Sequence, residues 1–381
     1  MRTIAIVGCG IGRSHVIEGI LPNSDKFKLL AVCDINPERL DAFAKEFDVP
    51  RKTAEFADLL KMDDLDIIDI CTPPMVHRGQ ILAALASGKH VISEKPLVGS
   101  LAEMDEIIAA EKQAKGRLMP IFQYRFGDGI ERVKSIIDAG LAGKPYVATA
   151  ETLWKRTPEY YAVPWRGKWA TELGGVLMGH SIHIHDLLNY LMGPIERLFG
   201  RVATRVNAIE VEDCISASCT LESGALASLT ASLGSQEEIS RLRLAFEHIT
   251  FESDHAPYQP GTKPWRIIPA SPEIQAKIDA HLAGWVFKPS RYEGQFGKFH
   301  DALETDGALP VTTADSRRAL ELVTAFYYSS ETHEDVELPL GPTHPKYKTW
   351  VPEAFRTAAG NRYPVRIHFM GVWDTVGALH P

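Results

Sequence analysis

The clearest candidate for chemistry in the sequence is Lys95, which follows a predicted strand at His90–Ser93. In a sheet of parallel strands, ligands bind in the crevice beyond the carboxyl ends of the strands. An ammonium group there can hydrogen-bond a substrate hydroxyl and stabilise the charge of a developing alkoxide. The competing interpretation is a surface lysine in a turn, which is the commoner fate of lysines.

A second candidate group lies on a predicted helix at Gly174–Leu191 and contains His180, His183, His185 and Asp186. A neutral imidazole is well suited to remove a hydroxyl proton at neutral pH. His183 and Asp186 are three residues apart and share a helix face. His183 and His185 are separated by about 200° around the helix and cannot both point at one ion, whereas His180 and His183 could. We predict no metal site here, with a metal pair and a purely structural role as the alternatives.

The first apolar run, from Thr3, leads into the closely spaced Gly8, Gly10 and Gly12. Glycines at this place allow a tight turn and let a pyrophosphate approach backbone N–H groups at a helix N-terminus. In the usual G-x-G-x-x-G pattern the third glycine comes one residue later, where this chain has Arg13, so the loop is expected to close differently. An ordinary strand-to-helix turn is the alternative.

Asp34 ends the second apolar strand, Leu29–Cys33. A carboxylate there can accept both ribose hydroxyls of an adenosine and would repel a 2′-phosphate, which favours NAD over NADP. Alternatively, or in addition, Asp34 caps the helix that follows. Together with the glycines, it predicts a dinucleotide-binding first domain.

Strands and helices alternate up to about Gln123, which predicts a parallel sheet with helices on both faces. Longer alternating strands follow, such as Pro145–Leu153 and Cys214–Leu221, and indicate a second, largely antiparallel α+β domain. We therefore predict a doubly wound α/β first domain at residues 1–123, an α+β domain at 124–350 with a large, mainly antiparallel open sheet, and an atypical extension at 351–381.

The composition is that of a two-domain enzyme rather than a nucleic-acid or membrane-surface protein. The 381 residues exceed the usual size of one core, and the net charge of −8 is spread along the chain. The five cysteines show no C-x-x-C spacing and are interpreted as reduced thiols. No apolar stretch is long enough to span a bilayer and no signal-like segment is present, so we expect a cytoplasmic protein.

Residues 72–97, TPPMVHRGQILAALASGKHVISEKPL, resemble the Gfo/Idh/MocA oxidoreductases, and FQYRF at 122–126 and GGVLMGHSIHIHD at 174–186 extend the likeness. The resemblance implies a Rossmann first domain that binds NAD, with Lys95 contacting the reacting oxygen, His183 as acid or base, and Pro96 as a turn proline that is often cis. It also implies a dimer or tetramer formed through the open sheet face. The cofactor contacts expected from the motifs and the resemblance are Gly8, Gly10, Ile11, Gly12, Asp34, Thr72, Pro73, His77, Glu94, Lys95, Gln123, Trp165 and Arg166.

The residues expected to bind substrate are Lys95, Tyr124, Arg125, Trp165, His180, His183 and Asp186. Tryptophan faces suit the C–H faces of sugar rings, and arginine suits hydroxyls or carboxylates. For the aromatic and basic residues, packing between the domains is an equal alternative.

The chain departs from the family at Gly179, where the pattern D-x-x-x-H-x-x-D has its first aspartate. We expect His183 to be held instead by Asp186 or His180, its neighbours three residues away on either side.

These residues predict an NAD-dependent dehydrogenase that oxidises a secondary hydroxyl of a sugar, glycoside or cyclitol, or catalyses the reverse reduction. An NAD-using glycosidase that works by transient oxidation and elimination is one alternative. A non-catalytic NAD(P)-binding sensor is another, which Lys95 and His183 argue against and Gly179 leaves open.

The segment IHFMGVWDTVGAL at 367–379 looks like part of an unrelated α/β-hydrolase-like domain, in which Asp374 would belong to a catalytic triad. The chain has no G-x-S-x-G nucleophile motif, so we expect no hydrolysis by this segment. An added strand, a subunit arm or a gene-boundary accident would each explain it.

Overall fold

The computed structural model describes residues 1–359 and shows two sheets. Within these residues, six strands form a parallel sheet in the order β3-β2-β1-β4-β5-β6, which is a doubly wound Rossmann arrangement. The strands are β1 Arg2–Val7, β2 Phe27–Cys33, β3 Arg51–Thr53, β4 Ile67–Ile70, β5 His90–Ser93 and β6 Leu118–Pro120. The helices between them are α1 Gly12–His15, α2 Pro37–Glu46, α3 Phe56–Leu60, α4 Pro74–Ala86 and α5 Leu101–Gln113.

Local signals explain where these helices begin. The Asn36 side chain accepts a hydrogen bond from the Arg39 N–H, with Pro37 in the first turn of α2. The Ser100 side chain does the same for α5 through the Glu103 N–H. Such caps satisfy N–H groups that the helix itself leaves unpaired. The predicted alternation of strands and helices is confirmed.

The second sheet is mixed and has eight strands in the described chain, in the order β13-β12-β11-β7-β10-β9-β8-β14. Its strands are β7 Pro145–Lys155, β8 Ile195–Ala203, β9 Cys214–Leu221, β10 Leu226–Ser232, β11 Gly234–Phe246, β12 Ile249–Glu252, β13 Arg266–Pro269 and β14 Val336–Glu337. Neighbours are antiparallel except β7 and β10, which are parallel. Buried and exposed residues alternate along β9 and β10, so one face is covered and the other is open.

Eight further helices belong to this part of the chain. They are α6 Asp128–Asp138, α7 Pro158–Tyr161, α8 Trp169–Glu172, α9 Ile182–Met192, α10 Pro272–Leu282, α11 Arg291–Thr305, α12 Thr313–Thr332 and α13 Glu353–Ala359. Helix α12 packs on the covered sheet face, where Ser329 Oγ accepts a hydrogen bond from the Gly200 N–H. Helix α11 instead returns to the first sheet. There the Phe296 ring lies 3.0 Å from the position that a Cβ on Gly19 would take.

The structure differs from the prediction in the segment that carries the histidines. Leu177–Ser181 form a π-helix and the α-helix begins only at Ile182, whereas the sequence predicted one regular helix from Gly174. A π segment bonds residues five apart and so changes which side chains share a face. A second π segment, Val16–Ile20, follows α1.

All five cysteines lie among the described residues as free thiols, with Cys214 half-buried and the other four buried. Among residues 1–359 no helix combines the length and the apolar character that crossing a bilayer requires. Asp374 and the hydrolase-like segment lie outside the described residues.

Candidate active site

The glycine loop joins β1 to α1 at the carboxyl edge of the parallel sheet. Gly8 has φ +98°, and a Cβ there would lie 2.7 Å from the Cys71 carbonyl oxygen. A Cβ on Gly12 would lie 2.5 Å from Ile6 Cγ2. Both positions therefore require glycine, the first for its left-handed backbone and the second so that α1 can approach the strand. Helix α1 begins at Gly12, and Arg13 in the place of a third glycine instead pairs with Glu46.

Asp34 lies just beyond β2 and ties the glycine loop to that strand. Its Oδ2 accepts a hydrogen bond from the Cys9 N–H at 2.8 Å, and its Oδ1 accepts one from the Asn36 N–H at 2.8 Å. The cap of α2 is Asn36, so the alternative that Asp34 caps this helix is wrong. A carboxylate at the end of β2, next to a loop that only glycine can form, fits a dinucleotide with its ribose at Asp34.

A buried charged network below this loop was missed in the sequence. His15 Nδ1 lies 2.8 Å from Asp69 Oδ2, and its Nε2 lies 3.1 Å from Glu94 Oε1. The Tyr292 hydroxyl donates to the same Glu94 oxygen at 3.1 Å. Burial opposes a charge on His15, but Asp69 and Cys71 together raise the pKa of His15 well above its usual value. An imidazolium between two carboxylates therefore links α1 to the loop that carries Lys95.

His15, Asp69 and Cys71 also form the one group among residues 1–359 whose ligand atoms lie close enough together to hold a metal ion. Because Asp69 already binds His15 Nδ1, this group is accounted for by the ion pair. The sequence signal for this network was Asp69, a carboxylate inside the apolar strand Ile67–Ile70. A buried carboxylate of this kind needs a buried partner.

Lys95 follows β5, and its Nζ donates to the Gly179 carbonyl at 2.9 Å. Its backbone N–H donates to Glu94 Oε2 at 3.0 Å, and the Lys95–Pro96 peptide bond is cis. Burial lowers the pKa of Lys95, the Glu94 carboxylate opposes this shift, and the nearby Arg166 adds to it. The backbone carbonyl of Gly179 thus positions the Lys95 ammonium group.

His183 packs on aromatic rings rather than on polar groups. Its ring stacks on Tyr124 with centroids 4.6 Å apart, and its edge meets Phe122. Its buried Nδ1 has no hydrogen-bond partner in the described chain. Burial, followed by the charge of Lys95, lowers the pKa of His183 well below its usual value. The imidazole is therefore neutral and able to accept a proton.

Asp186 does not hold His183, contrary to the prediction. Both Asp186 oxygens accept hydrogen bonds from Arg125, at 2.7 Å from Nε and 2.5 Å from Nη2. Arg125 also pairs with Asp315 at 3.1 Å. The buried guanidinium explains the error, because a desolvated arginine requires a carboxylate. Contact of Arg125 or Asp186 with a substrate stays a prediction.

His180 does not hold His183 either. Its Nε2 lies 3.4 Å from the Tyr160 hydroxyl, and its ring meets the Trp154 edge. His185 is on the other side of the helix, stacked on Phe326 of α12. The two histidines at 183 and 185 therefore contact different parts of the molecule.

Three expected cofactor contacts lie in the loop between β4 and α4 or next to it. Pro73 is the N-cap residue of α4, and the Thr72 hydroxyl donates to Gln80 Oε1 at 2.6 Å. His77 has no exposed surface, and its ring nitrogens lie 2.8 Å from the Pro96 carbonyl and 2.6 Å from the Thr72 carbonyl. The enclosed ring braces two loops, and contact of His77 with the cofactor stays a prediction.

The remaining predicted residues lie around the same crevice. Gln123 is buried and donates to the Tyr292 hydroxyl at 3.4 Å. The Arg166 guanidinium lies over the rings of Trp165 and Tyr160, at 4.4 and 3.8 Å from their centroids. These aromatic and basic groups form a wall on the side of His180.

Two buried glutamates were also missed. Glu212 accepts hydrogen bonds from the N–H groups of Gly175 and Leu177, each at 3.0 Å, and from the Tyr327 hydroxyl at 2.8 Å. These hydrogen bonds hold the backbone just before the segment that carries the histidines. Burial raises the pKa of Glu212 to about 7. Glu172, at the end of α8, accepts a hydrogen bond from the Gly167 N–H at 2.5 Å.

Comparison with known proteins identifies the family of the chain. Residues 2–122 match the family described as "Oxidoreductase family, NAD-binding Rossmann fold", and residues 130–252 match the "GFO/IDH/MocA C-terminal domain". The chain is 27% identical over 326 residues to an uncharacterized oxidoreductase, YrbE, of Bacillus subtilis, covering 84% of this chain and 92% of that protein. It is 28% identical over 200 residues to myo-inositol 2-dehydrogenase of Thermotoga maritima, covering 51% of this chain and 57% of the relative.

Among solved structures, the WlbA dehydrogenase of Bordetella pertussis, in complex with NADH and UDP-GlcNAcA, superposes with a TM-score of 0.78. It is 26% identical, and the likeness covers 89% of this chain and 98% of that one. The family matches span both sheets and include the glycine loop, Lys95 and His183. The chain therefore belongs to the Gfo/Idh/MocA family of oxidoreductases, and its first domain is an NAD-binding Rossmann domain.

Proposed function

We propose that this protein is an NAD-dependent dehydrogenase that converts a secondary hydroxyl of a sugar, glycoside or cyclitol to a ketone, or catalyses the reverse reduction. The observation that carries the proposal is the pairing of Lys95 with His183. The Lys95 ammonium is fixed on the Gly179 carbonyl, one helical turn from a neutral, aromatic-packed imidazole. Relatives of this chain include dehydrogenases named for inositol, apiose and levoglucosan.

The glycine loop and Asp34 would hold the dinucleotide, which supplies a hydride acceptor when bound. Lys95 has three N–H donors, of which one is used by Gly179, so the ammonium can also hydrogen-bond the substrate oxygen. Its positive charge favours the alkoxide that forms as the hydroxyl loses its proton. His183 accepts that proton, since it is neutral in its buried position.

The test is a panel of sugars, cyclitols, methyl glycosides and nucleotide sugars assayed with NAD and with NADP. We expect a rise in absorbance from free NADH with at least one polyol, and faster reaction with NAD than with NADP. Cleavage of a glycoside without net NADH would show the glycosidase instead. Cofactor binding without turnover of any compound would support a sensor.

Asp34→Asn is the matched variant for the cofactor part of this test. It removes the negative charge and keeps one side-chain oxygen, which can accept one of the two hydrogen bonds that Asp34 receives from the N–H groups of Cys9 and Asn36. We expect the difference in affinity between NAD and NADP to narrow, because the repulsion of a 2′-phosphate is lost. Equal affinities for the two cofactors in the unmodified protein would refute the role of Asp34.

We also propose that the protein is a homodimer or homotetramer that uses the open face of its second sheet. Large apolar side chains are exposed there, among them Val147 on β7 and Leu226 on β10, which pair in register. Covering an apolar sheet face removes this surface from water. Sedimentation analysis is expected to give a dimer or tetramer that Leu226→Glu weakens, and a monomer at micromolar concentration would exclude this arrangement.

A further inference from the structure

The helix segment behind Lys95 contains an unfilled space at Gly179. Glu172 Oε1 lies 3.9 Å from the position of a Cβ on this residue, and no other neighbouring atom lies within 4 Å of it. The backbone of the same residue binds the Lys95 ammonium through its carbonyl. A carboxylate oxygen therefore borders the space that a side chain at position 179 would occupy.

A hydrogen bond to the other carboxylate oxygen holds Glu172 in this place. Oε2 accepts the Gly167 N–H, and the residue is only 6% exposed. Its charge interacts with those of Lys95 and Arg166, two of the cations that line the crevice. Among the residues that the structure describes, no ion pair within 4 Å involves Glu172, so these cations act on its carboxylate only through longer-range charge interactions.

We propose that Glu172 is the substrate-facing carboxylate of this site: it occupies the side of the crevice left open by Gly179 and accepts a hydrogen bond from a substrate hydroxyl beside Lys95. The proposal rests on the proposed dehydrogenase function. A polyol presents adjacent hydroxyls, so one can lie against Lys95 while its neighbour donates to Glu172. A charged acceptor gives a stronger hydrogen bond than a neutral one and rejects compounds that lack the hydroxyl.

The surroundings of Glu172 make this role depend on pH. Burial raises its pKa to about 7, against the Gly167 N–H and the charges of Arg166 and Lys95, while Glu212 adds to the increase. Tyr161 and Tyr327 also face it and stay neutral, since burial raises the pKa of both hydroxyls. Glu172 is therefore protonated below about pH 7 and charged above it, so substrate affinity should increase as the pH rises through this value.

The experiment compares Glu172→Gln with Glu210→Gln in the panel assay. Glutamine keeps the length and the contact with Gly167 but removes the charge. We expect kcat/KM to fall roughly ten- to a hundredfold, mainly through KM, with loss of the change near pH 7. Glu210 also supports α8, by accepting the Trp169 N–H, and is exposed, so its variant reports purely structural effects and should stay near wild type.

A second pair of variants keeps the test decisive if Glu172 is needed for folding. Glu172→Ala combined with Gly179→Asp moves the carboxylate to the vacant side of the helix. We expect this double variant to recover much of the kcat/KM that Glu172→Ala alone loses. A double variant no better than the single one, or a Glu172→Gln protein with normal KM and pH profile, would overturn the proposal.

If the dehydrogenase proposal is wrong, no compound of the panel will be turned over by the wild type or by any variant at position 172. This result differs from a failure of the Glu172 proposal alone. Calorimetric binding of myo-inositol and of methyl glucoside in the presence of NADH then provides the test. Weaker binding by Glu172→Gln than by Glu210→Gln supports the role of Glu172, and equal binding of a detected ligand, or no binding by any form, contradicts it.

Discussion

Replacing Lys95 with alanine is expected to lower turnover by roughly a hundredfold or more while leaving NAD affinity almost unchanged. The ammonium acts mainly on charge that appears in the transition state, so its loss should reduce kcat more than it weakens binding. The glycine loop and Asp34, which would hold the dinucleotide, do not depend on the Lys95 side chain.

Stopped-flow turnover and fluorescence titration of NADH measure the two quantities separately. Lys115→Ala is a suitable control, because this lysine is exposed and follows α5 at the far end of the first domain. If Lys95→Ala reacts at a near-normal rate on a good substrate, the lysine has no part in the chemical step. If it loses NADH binding as well, the loop at 94–96 also shapes the cofactor site.

Replacing His183 with alanine is expected to lower kcat by roughly a hundred- to ten-thousandfold over the neutral range, because a general base is lost. Burial and the charge of Lys95 lower the pKa of this imidazole well below 6.5. The group therefore stays neutral, and able to accept a proton, at pH values where an exposed histidine would already be charged. In the wild type we expect the inactivation caused by protonation of His183 to begin well below pH 6.5, apart from the change near pH 7 assigned to Glu172.

His185→Ala is the control for this prediction. The His185 ring is buried against Phe326, and burial lowers its pKa to about 3, so it is a neutral core side chain. Its removal leaves a cavity that costs about 2–4 kcal/mol and should lower the melting temperature without changing the pH–rate profile. The wrong histidine has been assigned if His183→Ala has a normal rate and His185→Ala no longer shows the fall in rate at low pH.

Both architectures were predictable from sequence because they depend on local periodicity and on glycine chemistry. The alternation of apolar runs with capped helices predicts the parallel sheet, and the lack of a Cβ at Gly8 and Gly12 explains the motif directly. The segment around Lys95 is continuous in sequence, so its position after β5 follows from the strand that precedes it.

The remaining parts of the site depend on contacts between residues distant in sequence. Tyr292 reaches Glu94 across 198 positions, and no local pattern reports such a contact. Glu212 likewise binds the distant backbone N–H of Leu177, where the π segment begins, and Asp186 binds Arg125, which lies 61 positions away. Glu172 was not recognised because a short helix with one acidic residue has the appearance of a solvated turn.

The return of α11 to the first sheet has a consequence for dividing this chain into transferable parts. Tyr292 completes the hydrogen bonding of Glu94, and Phe296 of the same helix covers Gly19 behind the nucleotide loop. The nucleotide-binding unit is thus assembled from two separated stretches of the gene, the second lying beyond most strands of the other sheet. A chimera that exchanges nucleotide domains between relatives should therefore carry residues 291–305 with the first 123, since a cut at position 123 alone would pair one parent's buried imidazolium network with the other parent's tyrosine.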